Sequence, residues 1–132
     1  MNADVHHSVG RFECVVTPEM CATLDGNAIH PVYSTFWLCY HAEVAARRAI
    51  EAFFEDGENA IGGDLAVRHE AMCAVGDTVR IEATVIEVTA RKIVCRIEAW
   101  SSRRRIASGH QTQILLRQET IDKLVAEAYS VV

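Results

Sequence analysis

At 132 residues, half of them hydrophobic and 23% charged, the chain suits a single domain with its own core and is too apolar for a disordered or fibrous class. A formal net charge of -5 argues against binding nucleic acid through broad phosphate neutralisation, which needs a basic face. Five cysteines stand at irregular spacing without a CxxC pair, and Met1–Gly10 is polar, so reduced thiols in a cytoplasmic setting and a flexible N-terminal tail are expected.

In chain order, residues 11–17 alternate partly and stop before Pro18, which predicts a first strand. Residues 18–31 hold both prolines and Asp25-Gly26-Asn27, a turn-rich composition expected to form a loop that rims or lids a site. From Ser34 or Thr35 to about Phe54 there is no Gly or Pro, and Ala42, Ala45, Ala46, Ala49, Ile50 and Phe53 recur at helical spacing. Ser34 or Thr35 is the N-cap candidate, and Glu55-Asp56-Gly57 closes the helix. His41, Glu43, Arg47, Arg48 and Glu51 interrupt this segment, which argues against a membrane span.

After Gly62-Gly63 the period changes to two. Leu65, Val67 and His69 share one strand face, 79–85 and 93–100 alternate cleanly, and a last strand covers about 106–116 after Arg103-Arg104-Arg105. A C-terminal helix is expected within 119–132, with Ile121, Leu124 and Val125 on one side. Strand, long helix and four antiparallel strands joined by short turns describe an α+β fold in which a sheet curls around an alanine-rich helix, the hotdog architecture. The small side chains let the sheet approach the helix closely.

Three segments carry a family resemblance. Pro31-Val32-Tyr33-Ser34-Thr35-Phe36-Trp37 with Glu43 eight residues after Thr35, Ile61-Gly62-Gly63 with His69 seven residues after Gly62, and the strand pair from Val85 to His110 together resemble the hotdog thioesterases, the fluoroacetyl-CoA thioesterase group in particular. The resemblance spans residues 10–118. It implies an acyl-CoA substrate, no cofactor beyond the coenzyme A carried by that substrate, and a homodimer or dimer of dimers with active sites between subunits. It implies catalytic roles for Thr35, Glu43 and His69, with Gly62 and Phe36 beside the substrate. Phe36 stands where the fluoroacetyl-specific relative has glycine, Gln113 where it has arginine, and its aromatic lid has no clear counterpart in 22–31. Hydrolysis of a small or medium acyl thioester is therefore expected, without fluoroacetyl specificity.

Each residue also has a plainer structural reading. Glu43 among apolar neighbours could serve as base or nucleophile, or could simply pair with Arg47 at i+4. An isolated inward histidine such as His69 is more often a satisfied core residue, and Thr35 could merely cap the helix. Gly62 would let a backbone N–H approach a substrate carbonyl. Arg103 and Arg104 read first as a solvated turn and second as contacts for coenzyme A phosphates. No metal is expected, because His6, His7, His30 and His41 lack ligand spacing. Two other functions stay open: a hydratase or dehydratase using His30 with a helix carboxylate, and a non-catalytic acyl-CoA binder.

Overall fold

The computed structural model describes residues 1–131. Its elements are β1 (Val9–Val15), β2 (Cys21–Leu24), β3 (Asn27–Tyr33), α1 (Thr35–Ile50), β4 (Glu58–His69), β5 (Thr78–Val88), β6 (Lys92–Trp100), β7 (Arg105–Arg117) and α2 (Gln118–Tyr129). Five strands form one antiparallel sheet in the order β1-β5-β6-β7-β4, and β2 and β3 form a separate hairpin. The expected hotdog fold is present: the sheet curls about α1.

Packing follows from the alternation. Ile81, Ala83 and Val85 of β5 and Ile93, Cys95 and Ile97 of β6 are fully or almost fully buried, and they meet Ala42, Ala45, Ala46 and Ala49 of α1. Burial of this kind contributes about 25 cal/mol for each Å² of apolar surface removed from water. The helix comes closest at β1, where a Cβ on Gly10 would lie 2.0 Å from the Ala45 carbonyl oxygen. Only glycine fits there. Contact with β1 and β5 dominates, while α1 touches β4 and β7 only lightly. The helix therefore leans to one side of the sheet, and a gap opens toward β4, an edge strand.

Four sequence expectations are corrected. Residues 1–10 do not run free: a 3-10 turn over Ala3–Val5 buries Val5 completely, and the Met1 ammonium bonds Glu58 Oε2 at 2.8 Å. Residues 18–31 are not simply a loop, because Asp25 and Gly26, both at positive φ, turn β2 into β3. β1 starts and ends two residues before the predicted span. β4 starts at Glu58 and passes through the two glycines, which absorb a register shift between Gly62 and Asp64 instead of breaking the strand. At the other end of α1 the last predicted turn is present as a 3-10 segment, Glu51–Phe53.

Candidate active site

The gap between α1 and β4 collects the chemistry. Ser34, not Thr35, is the N-cap: its Oγ accepts from the Trp37 N–H at 3.1 Å. Thr35 is thereby released from the capping role, and its Oγ1 shares a 2.9 Å hydrogen bond with His69 Nδ1 across from β4. His69 Nε2 is buried without a hydrogen-bond partner among the described residues. Burial pushes the imidazole pKa below its usual value, against a smaller opposing effect from the Ala71 backbone, so the ring is held neutral near pH 7. At Nδ1 a neutral ring can donate to or accept from Thr35 Oγ1, according to its tautomer.

Two turns along the helix from Thr35, Glu43 does not make the i+4 ion pair that its spacing permits. Arg47 turns away to the Ala60 carbonyl, Asn59 and Glu51. Glu43 points instead at Gly62: a Cβ placed there would stand 3.4 Å from Oε2. Gln111 on β7 donates from Nε2 to the same oxygen at 3.1 Å. Thr35, Phe36, Cys39, Tyr40, Glu43 and Leu65 line one cleft of about 460 Å³. On the far side of Thr35, a second cleft of about 330 Å³ lies against His69, Tyr33, His30, Ala71 and Met72. Thr35 is thus the ridge between a carboxylate and an imidazole.

The structure brings together Thr35, His69, Glu43, Gly62 and Phe36. It does not bring Arg103 or Arg104 to them. Both sit in the exposed turn closed by Ser101, whose N–H donates to the Arg104 carbonyl at 2.8 Å, and neither lines the clefts at Thr35. A cleft of about 490 Å³ on the outer face of the sheet is also unconnected with Glu43; its Arg105 is already engaged with Glu70 and Glu98. Two features went unread in the sequence. Gln111 lies in the inward phase of β7, where a polar residue at a buried position is the only signal. His41 is buried, stacked on Phe12 with centroids 4.1 Å apart, and bonded to the Tyr33 hydroxyl at 2.6 Å.

Comparison with known proteins settles the family. The model for the fluoroacetyl-CoA-specific thioesterases matches residues 16–119. The chain belongs to that family. It is a thioester hydrolase by class. The fluoroacetyl-CoA thioesterase of Streptantibioticus cattleyicolor is 27% identical over 96 residues, 73% of this chain and 69% of that one. A thioesterase superfamily member from Thermus thermophilus is 31% identical, with 95% of this chain and 93% of that one covered and a TM-score of 0.91. A variant fluoroacetyl-CoA-specific thioesterase solved with fluoroacetate and CoA superposes over 88% of this chain and 98% of its own, at 24% identity and a TM-score of 0.77.

Proposed function

We propose that this thioesterase hydrolyses small or medium acyl-CoA thioesters to the free acid and coenzyme A, using Glu43, Thr35 and His69. The observation that carries the reading is the release of Thr35 from capping into a bond with His69, on the wall of the cleft that holds Glu43. In the general-base route, Glu43 takes a proton from a water as that water's oxygen adds to the thioester carbonyl. The tetrahedral intermediate then collapses, the C–S bond breaks, and the thiolate leaves. In the nucleophilic route, Glu43 itself attacks, the thiolate leaves, and water hydrolyses the resulting anhydride. The Thr35 hydroxyl and the Gly62 backbone, which has no side chain to keep a carbonyl away, stabilise the developing oxyanion. His69 orients Thr35 through their shared hydrogen bond, and the proton that Glu43 takes from water passes to the departing thiolate.

Phe36 is 74% and Tyr40 54% exposed beside the cleft, and β4 presents a long unpaired edge. Such a surface favours a second copy of the chain, so the reading includes a homodimer that closes the cleft. Fluoroacetyl preference is not expected of this chain, because Phe36 and Gln113 stand where the resembling enzyme has glycine and arginine. No helix among the described residues is long and apolar enough to cross a membrane, and a cytoplasmic setting is part of the proposal.

Free-thiol release from a panel of acyl-CoAs, followed for wild type, Glu43→Ala and His69→Ala, tests this reading. Release that collapses in both variants supports it, whereas release unaffected by either sinks the site assignment. Hydration of an enoyl-CoA without thiol release would support a hydratase, and binding without turnover would support a sequestering protein. Incorporation of an oxygen label from water into Glu43 during a single turnover would select the nucleophilic route.

A further inference from the structure

We propose that Gln111 is the positioning residue of Glu43: its amide fixes the carboxylate and leaves Oε1 as the oxygen that acts on water or thioester. The inference rests on the proposed role of Glu43. Gln111 is fully buried on the inward face of β7, with Leu65 of β4 and Cys95 of β6 beside it in register. Apart from Gln113, whose amide bonds the Ala46 carbonyl, the inward positions nearby, Ile93, Cys95, Ile97 and Leu115, are apolar. A residue serving only to fill this space would be apolar too, since an amide buried with an unmet hydrogen bond is costly. Gln111 carries that cost: among the described residues its Oε1 has no partner, and its Nε2 donates only to Glu43 Oε2, at 3.1 Å. An ionised carboxylate only accepts hydrogen bonds, so the amide must turn its nitrogen, not its oxygen, toward Glu43.

The neighbouring Gln113 strengthens the arrangement from the same face. Its Nε2 donates to the Ala46 carbonyl at 3.1 Å, three residues along α1 from Glu43. One glutamine thus fixes the rotation of the helix against β7, and the other fixes the side chain that the helix presents.

Steady-state thiol release by Gln111→Met and Gln111→Leu, singly and combined with Glu43→Gln, tests the proposal, using the acyl-CoA of the panel above that wild type turns over fastest. The expected result is a fall in kcat of about tenfold to a hundredfold with KM changed by less than about twofold. In the Glu43→Gln background the same substitutions should produce no further loss, which a general loosening of the fold would not reproduce. Wild-type kcat in both Gln111 variants, an effect on KM alone, or equal losses with and without the Glu43 carboxylate would overturn the role of Gln111. Unchanged turnover in Glu43→Gln would instead overturn the parent reading of Glu43, and the two failures are distinguishable.

Discussion

The two sides of α1 differ in nearly every respect. Toward β1 and β5 the helix presents Ala42, Ala45, Ala46 and Ala49, all fully buried, and the fit at Gly10 leaves no room for a methyl group. Toward β4 it presents Thr35, Phe36, Cys39, Tyr40 and Glu43, which line a cleft. Small side chains on one side draw the helix against the sheet, and that displacement opens the other side. Packing and chemistry are thus assigned to opposite faces of one element, so substitutions on the two faces should have separable effects.

The largest expected effect sharpens that division. Glu43→Gln, on the open side, should lower thiol release by roughly 10²–10⁴-fold, the usual weight of a positioned acid or base, while the thermal midpoint stays near wild type. Gly10→Ala, on the closed side, should do the opposite and cost about 3 kcal/mol of stability in a denaturant titration, with the activity of the remaining folded protein near normal. A Gly10→Ala protein of wild-type stability would show that the helix can shift away from β1.

Neighbouring residues at the start of α1 provide a finer division. Thr35→Val removes the hydroxyl bonded to His69 and should reduce turnover roughly tenfold with little loss of stability. Ser34→Ala removes the cap on the Trp37 N–H and should cost about 1 kcal/mol of stability with turnover nearly intact. If the two results were exchanged, Thr35 would be the structural residue of the pair.

The smallest expected effect concerns pH. Burial lowers the pKa of both His41 and His69 in the folded chain, whereas the unfolded chain protonates near the ordinary value of about 6.5. Below that pH the unfolded state binds protons that the folded state refuses. Stability should therefore be complete above pH 7 and decline as pH falls through 6.5 toward the folded values. Thermal midpoints compared at about pH 7.5 and 5.5 would show the decline, and a flat or opposite trend would contradict it.

Much of this was legible in the sequence because it rests on periodicity and on glycine-free length. The alanine spacing of α1, the alternation in β5 and β6, and the phase shared by Leu65, Val67 and His69 each survive in the structure with boundaries moved by a few residues. The β2–β3 hairpin was hidden because Asn27–Val32 is mostly exposed and does not alternate. The first half of β4 was hidden because Gly62-Gly63 imitates a strand break. At the site, spacing alone left Thr35 as a possible cap and Glu43 as a possible partner of Arg47. Only three-dimensional competition decides such choices: Ser34 takes the cap, and Asn59, Ala60 and Glu51 take Arg47. Gln111 was not legible as a partner of Glu43, since 68 residues separate them and the curl of the sheet alone joins them.

The most direct test of the open side of α1 as the working side is a structure of the protein with a non-hydrolysable thioether analogue of acetyl-CoA. The acyl carbonyl is expected between Thr35 and Gly62, with its carbon within about 3.5 Å of the Glu43 carboxylate or of a water held by it. An acyl group bound instead in the outer-face cleft at Arg68, Arg96 and His110 would contradict it.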